Sequence, residues 1–249
     1  MFFPQVWGKG LAIEAVLACL DEGFKKLKFK RIIAITQKAN IASCRLLEKI
    51  GMHLAQEFVR FNAEQRMYEK WHFNKISFIP LSASHLPFIH EWFNKPHVQE
   101  FYSLRKWTFD EVESKLLPYI NQEKPVYPYM VYLDQQPVAY IQYYRVMDYP
   151  WPEQALSEEM ITQSAGFDFF IGEEEYIGKG IGCMIVETFL NELIWPNFSY
   201  CMVDPDIHNE RSLKFFEKCG FKLHKVIDAE DALGKSSQLR LMIRSTNIK

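Results

Sequence analysis

The chain lacks a paired-cysteine pattern, a charge excess of either sign and any long apolar run. Its 249 residues hold five cysteines, Cys19, Cys44, Cys183, Cys201 and Cys219, an odd number at wide spacing with no C-x-x-C pair. That pattern argues against a disulfide framework and offers no zinc-ligand spacing, so no metal is expected and a reducing, cytoplasmic setting fits. A net charge of −2 supplies no basic field for nucleic acid, and the basic stretch from Lys25 to Arg31 reads as a solvated face. No stretch reaches the roughly 18 apolar residues that a membrane span needs, and residues 1–6 lack the charged start and long apolar run of an export signal. Neither nucleic acid nor a membrane is an expected partner. What is present is a soluble globular balance, 48% hydrophobic and 24% charged, with 15% aromatic residues that suit a ring-walled core or pocket.

The chain repeats part of itself. Trp7-Gly8-Lys9-Gly10-Leu11 and Ile177-Gly178-Lys179-Gly180-Ile181 are near copies, 170 residues apart. Asn40-x-x-Ser43 and Glu48-Lys49-Ile50-Gly51-Met52 recur, at an offset of 169, as Asn209-x-x-Ser212 and Glu217-Lys218-Cys219-Gly220-Phe221. About a hundred residues (75–176) precede the second glycine loop, against seven before the first. Residues 1–72 therefore read as the C-terminal half of one domain and 75–249 as a complete domain of the same kind, joined through the aromatic stretch from Trp71 to Lys75.

Within 75–249 the pattern predicts a strand at 76–80 and a helix at 84–93 with Ser84 as its cap. Thr108-Phe-Asp-Glu111 is a capping box opening a helix that stops near Pro118. A hairpin follows, 129–133 and 138–144 around the turn at Asp134, and then a strand at 166–171 runs into the glycine loop. A helix over 181–193, a short strand at 200–203, a helix from Asn209 closed by Gly220 and a last strand at 238–243 complete the order. The fold class is a mixed α/β (α+β) sheet, split where a cofactor can enter and flanked by helices.

A strand, then Gly178, Gly180 and Gly182, then a helix leaves unpaired N–H groups at the positive end of a helix dipole, which suits a pyrophosphate. Alone, this pattern is shared by dinucleotide folds and by plain helix starts. It is not a Walker loop, and it stands late in the domain rather than after a first strand.

Tyr176-Ile-Gly-Lys-Gly-Ile-Gly182, followed by Asn209-x-x-Ser212-x-x-x-Phe216-Glu217-Lys218-x-Gly220-Phe221, resembles the coenzyme A-binding core of the GNAT acetyltransferases. Residues 76–227 resemble the aminoglycoside 6'-N-acetyltransferases within that superfamily, through the segment from Glu91 to Glu100, Tyr129, the run from Tyr140 to Tyr144, Gly166-Phe167-Asp168 and Val203-Asp204-Pro205. Residues 1–72 resemble the C-terminal half of a ribosomal-protein-type N-acetyltransferase. The resemblance implies acetyl-coenzyme A as cofactor. Phe169, Phe170 and Ile171 would flank its pantetheine arm, Gly178, Lys179, Gly180, Ile181, Gly182 and Cys183 its pyrophosphate, and Asn209 with Ser212 its pantetheine or nucleotide end.

Attack of an amine on a thioester needs a base and oxyanion donors. Asp168, on the strand leading to the loop, is the first candidate base or amine-orienting acid, and Asp204, at the end of the next strand, is the second. Both carboxylates, extended by Asp148, would attract a polycationic amine, with Trp92, Tyr102, Gln142 and Tyr144 as further substrate-binding candidates. Each has a plainer alternative, as a turn former, a solvated charge or core. The expected reaction is acetylation of a primary amine, the 6'-amino group of an aminoglycoside, by direct attack in a ternary complex. Alternatives are a siderophore-type amine or hydroxylamine acetyltransferase, whose sequences favour His at the place of Asp168, and a weakly catalytic acyl-coenzyme A-binding scaffold.

Two departures stand out. Many family members have Tyr where this chain has Phe216, to protonate the departing thiolate, and Phe has no proton to give. Three residues before the first loop glycine the usual Gln or Arg is replaced by Glu175, whereas the first copy has Gln5. The half domain lacks the strands that would hold an acceptor, and is expected to serve as a packing partner, with a homodimer through it as one way of completing it and a truncation remnant as the alternative.

Overall fold

The computed structural model describes residues 10–73, 75–149, 151–230 and 234–246. The chain divides into two compact units, Met1–Asn74 with Ile177–Ile181, and Lys75–Tyr176 with Gly182–Lys249. Residues Gln5, Trp7, Gly8 and Lys9 of the first repeat copy, and Asn74 of the junction, lie outside the described residues.

In the first unit, helix α1 (Leu11–Asp21) starts after Gly10, whose φ of 81° is a conformation glycine adopts without the steric penalty of a Cβ. Strand β1 (Arg31–Gln37) leads to α2 (Ile41–Lys49), where the Asn40 side chain accepts the Ser43 N–H at 3.1 Å and satisfies a donor the helix leaves unpaired. Gly51, at φ 77°, ends that helix, and β2 (His53–Arg60) and β3 (Ala63–Trp71) form a hairpin. The sheet order is β1-β3-β2, antiparallel throughout. Leu20, Phe24, Leu47, Met52 and Tyr68 build its core, and the fully buried Tyr68 hydroxyl donates to Glu48 at 2.9 Å.

The second unit opens with β4 (Ile76–Pro80) and α3 (Leu86–Phe93), followed by the short α4 (Pro96–Val98) and α5 (Phe109–Ile120). Ser82, not Ser84, caps the entry to α3: His85 Nδ1 lies 3.0 Å from both the Ser82 N–H and its hydroxyl, and the Ser84 hydroxyl is engaged by Ser82 at 2.9 Å. The Thr108–Glu111 capping box forms, with the Thr108 N–H donating to Glu111 at 2.8 Å. Helix α5 runs through Pro118 to Ile120, since a proline so near the end forfeits one backbone bond without blocking the last turn.

Strands β5 (Val126–Leu133) and β6 (Gln136–Arg145) make the hairpin, α6 (Glu158–Thr162) follows, and β7 (Ser164–Ile171) runs up to the glycine loop. Then come α7 (Ile181–Phe189), β8 (Tyr200–Val203), α8 (Glu210–Lys218), β9 (Lys222–Glu230) and β10 (Ser236–Ser245). Strand β9 is absent from the sequence expectation. It is an edge strand whose one deeply buried side chain is Ile227, so it shows no apolar alternation to read.

These strands form one mixed sheet in the order β4-β5-β6-β7-β8-β10-β9. Every pairing is antiparallel except β7 with β8, which run parallel and touch only at Ser164–Tyr200, Ala165–Cys201 and Gly166–Met202. Beyond Gly166 the two strands part, which is the expected split. Side chains alternate across a sheet, and two cores result. Met130, Tyr140 and Phe170 pack with Leu86, Ile89, Trp92, Val112 and Leu116 of α3 and α5. On the other face Tyr143 and Phe167 meet Phe189 of α7, and Phe167 also meets Phe216 of α8.

Candidate active site

Register places the two carboxylates. Gly166 pairs with Met202 as the last contact of β7 with β8, so two residues further along each parallel strand stand Asp168 and Asp204, on one face and at the mouth of the split. Gln142 is opposite Asp168 on β6, and its Nε2 donates to Asp168 at 2.6 Å, while the Tyr140 hydroxyl donates to Gln142 Oε1 at 2.6 Å. A buried relay thus fixes which way the Asp168 carboxylate points. Burial pushes its pKa up, opposed by the Gln142 hydrogen bond and the charge of Lys115. Asp204 is pushed up to about 6, by burial first and by the Asp168 charge second. The same neighbourhood holds the Tyr144 phenol well above its usual range, through burial and then the charges of Asp204 and Asp168.

Beside this pair opens a cleft of about 520 Å³ lined by Gln142, Tyr144, Asp148, Tyr119, Tyr149 and Trp151, among others. Three of these were expected; Tyr119, Tyr149 and Trp151 were not, since isolated aromatic residues in a helix and a loop carry no signal of their own. Lys115 was missed too. It stands one helical turn before Tyr119 on α5, and burial lowers its pKa while the Asp168 charge acts in the opposite sense.

Three substrate-binding expectations need correction. Trp92 is fully buried in the α3–α5 core, and its Nε1 donates to Glu173 at 2.8 Å, so its ring is a wall of the core and not of the cleft. Tyr102 packs its ring 4.6 Å from Phe170 at the rim of the same core. Asp148 does line the cleft, but Arg145 grips both its oxygens at 2.7 and 2.9 Å, so its charge is compensated and adds little to an acidic wall. His97 Nε2 lies 3.0 Å from the Ile171 carbonyl oxygen and anchors the end of β7.

The cofactor candidates lie along the chain as follows. Among the described residues, β7 from Phe167 to Ile171 has a strand partner on its β6 side only. Phe169 stacks on Phe215 and Phe170 is ringed by core aromatics, so these residues have only backbone to offer a ligand. Gly178 and Gly180 both take φ 76°; among the described residues nothing lies within 4 Å of where a Gly178 Cβ would stand, whereas a Gly180 Cβ would run into the His53 imidazole. Lys179 lies between them, and Ile181, Gly182 and Cys183 form the first turn of α7. A Cβ on Gly182 would meet Phe215 at 2.9 Å, so this glycine lets α7 rest on α8. Asn209 Oδ1 accepts the Ser212 N–H at 3.0 Å, which leaves the Asn209 Nδ2 and the Ser212 hydroxyl as the side-chain groups of this pair with contacts to give. Phe216 is buried among Phe167, Phe215 and Phe221.

Residues 82–229 match a family model described as an acetyltransferase (GNAT) domain, and residues 1–53 match a second model of that description. The aminoglycoside N(6')-acetyltransferase type 1 of Klebsiella pneumoniae is 27% identical over 153 residues, covering 59% of this chain and 73% of that protein. The uncharacterized protein YkkB of Bacillus subtilis (strain 168) is 40% identical over 74 residues, covering 30% of this chain and 43% of that protein, so the match spans less than half of that relative. Among solved structures, aminoglycoside acetyltransferase AAC(6')-Ib in complex with coenzyme A aligns with a TM-score of 0.58 at 22% identity, over 69% of this chain and 95% of that one. Spermidine N-acetyltransferase from Vibrio cholerae in complex with CoA and spermine aligns at 0.54 and 18% identity, over 68% and 95%. At these identities the likeness is one of fold. Among the described residues no helix is long and apolar enough to cross a membrane.

Proposed function

This chain belongs to the GNAT acetyltransferase family, and on that premise we propose that residues 75–249 transfer acetyl from acetyl-coenzyme A to a primary amine of a polycationic small molecule, the 6'-amino group of an aminoglycoside. The observation that carries the acceptor class is the pair Asp168 and Asp204, set side by side at the mouth of the split with Gln142 orienting the first. Two adjoining carboxylates in a half-enclosed site favour a ligand that brings its own positive charges.

The residues present fit the cofactor. Among the described residues the edge of β7 from Phe167 to Phe170 has no strand beside it on the side of the split, the open left-handed position of Gly178 suits close approach of a phosphate, and the N-terminus of α7 supplies a positive dipole end. The N–H groups between Gly178 and Cys183 would hold the pyrophosphate, the β7 edge the pantetheine arm, and Asn209 its far end. When bound, acetyl-coenzyme A supplies an acyl group activated as a thioester. Asp168 holds the acceptor ammonium. Asp204, with a pKa of about 6, is largely ionised at neutral pH and takes the proton the amine must lose before it attacks. Phe216 has no proton to give to a departing thiolate, so the proton that the leaving sulfur takes up would come from solvent.

Purified protein, acetyl-coenzyme A and a panel of kanamycin-like, spermidine-like, lysine-like and peptide acceptors, followed by thiol release and product mass, tests this. Turnover should be greatest with aminoglycosides carrying a 6'-amino group. Turnover confined to spermidine would move the acceptor to linear polyamines, and none with any amine despite cofactor binding would favour a scaffold. The homodimer expected through the half domain rests on the outer edge of β1, which pairs with β3 alone among the described residues; a monomer in light scattering would end it.

A further inference from the structure

We infer that Cys183 and Cys219 are a redox pair, which a hydroperoxide oxidises to an intramolecular disulfide between the first turn of α7 and the end of α8. The Cys219 thiol donates to Cys183 Sγ at 2.9 Å. Closing that gap to a bond of about 2 Å needs a shift of less than about 1 Å, so the helices need not rearrange. The other three thiols are differently placed: Cys19 is exposed, Cys201 is buried, and Cys44 faces the backbone carbonyls of Gln37 and Lys38 at 3.9 and 4.0 Å.

The surroundings hold the pair together. Glu187, one turn beyond Cys183 on α7, is paired with the Arg244 guanidinium, whose Nη2 lies 3.1 Å from Glu187 Oε2 and whose Nη1 donates to the Cys219 carbonyl at 2.6 Å. Arg244 therefore clamps α7 to the residue that ends α8. The repeat offers an internal control on whether packing alone asks for sulfur here. The counterparts of Cys183 and Cys219 in the first unit are Ile13 and Ile50, which belong to one apolar cluster. The first unit fills the equivalent positions with plain hydrocarbon, so packing alone does not require sulfur there.

Cys183 is the attacking sulfur. It is the more accessible of the two, it sits at the positive end of α7, and the hydrogen bond from Cys219, aided by the charge of Lys218, holds its pKa down. Its thiolate attacks one oxygen of the hydroperoxide, the O–O bond breaks, an alcohol leaves (water, for hydrogen peroxide), and Cys183 becomes a sulfenic acid. The Cys219 sulfur then attacks that sulfenic sulfur, the S–O bond breaks, water leaves and the S–S bond forms. Two thiols are oxidised and one peroxide is reduced.

The test uses the full chain and does not depend on the acceptor. Folded protein is titrated with hydrogen peroxide at neutral pH, then unfolded, alkylated with maleimide and mapped by peptide mass. The expected product is one crosslinked peptide pair, Cys183 with Cys219, reversed by dithiothreitol, while Cys19, Cys44 and Cys201 carry the label. Cys183 should be consumed about tenfold faster than Cys19. In Cys219→Ser, Cys183 should pass on to the sulfinic acid for want of a resolving thiol, with a thermal melt confirming that the variant is folded. Five labelled thiols in the oxidised wild-type protein, or Cys19 reacting first, would overturn the proposal, and neither outcome requires a variant.

Discussion

Residues 41–60 and 210–229 run through the same elements at one spacing, a nine-residue helix and then a strand. Asn40 and Asn209 cap the two helices through the N–H of Ser43 and Ser212, at 3.1 and 3.0 Å. Gly51 and Gly220 end them at φ 77° and 82°. The carbonyl before each glycine receives a cationic side chain at the same 2.6 Å, Lys70 on Ile50 and Arg244 on Cys219. The strand orders agree, β1-β3-β2 and β8-β10-β9. The side chains part company where chemistry is at stake: Ile35 stands at the place of Asp204, Leu47 at that of Phe216, and Ile13 and Ile50 at those of the two thiols. Strand β8 has β7 beside it, and β7 brings Asp168. Backbone rules are met alike in both copies, but a carboxylate pair exists only where the preceding strands do.

The sharpest way to break this comparison is Asp168→Asn, which keeps the shape at Gln142 but removes the charge. Turnover should fall by about 100-fold or more while cofactor affinity, read by calorimetry, stays within error; unchanged turnover would remove Asp168 from the chemistry. Asp204→Asn should lower kcat about tenfold to 100-fold and abolish the rise of kcat/KM expected of the wild type as pH passes through about 6. Stability should move the other way. A carboxyl whose folded pKa lies above its unfolded value stabilises fully below the unfolded pKa and loses that contribution as pH rises through the folded one. Denaturation at pH 8 should therefore find Asp204→Asn more stable than wild type by about 2 kcal/mol, and denaturation at pH 4 should find little difference. A variant less stable at pH 8 would refute the buried-charge account.

Phe216→Tyr adds the missing proton donor, and a gain of up to about tenfold in kcat above neutral pH is expected; no gain would mean that thiolate departure is not limiting. The smallest effect compares the copies directly. Asn40→Ala and Asn209→Ala should each cost about 1 kcal/mol in chemical denaturation, because each removes one helix cap. A cost confined to one of them would show that the two halves differ in more than side-chain chemistry.

Much of this was legible along the chain, because its signals are local. Thr108 with Glu111, Asn209 with Ser212, and Gly220 each act over three or four residues, and the structure shows each at its post. The cap at Ser82 was misplaced because a histidine rather than an acid completes the box. Strand β9 went unread because an exposed edge strand need not alternate.

The candidate site was only half legible. Asp168 and Asp204 carry family motifs, but their placement side by side depends on the register of two strands that are distant in sequence. Trp92 reads like a cleft aromatic until its burial and its bond to Glu173, 81 residues away, are seen. Asp148 reads as free charge until Arg145 closes on it, although that partner is only three residues off, because the sequence does not tell which rotamer a loop selects. By itself the sequence determined the family, the repeat, the glycine loop and the helix ends, all matters of local backbone chemistry. Only the tertiary structure decided which charges are paired, which rings are core and which thiols meet, because burial and contact depend on what folding brings together across the chain.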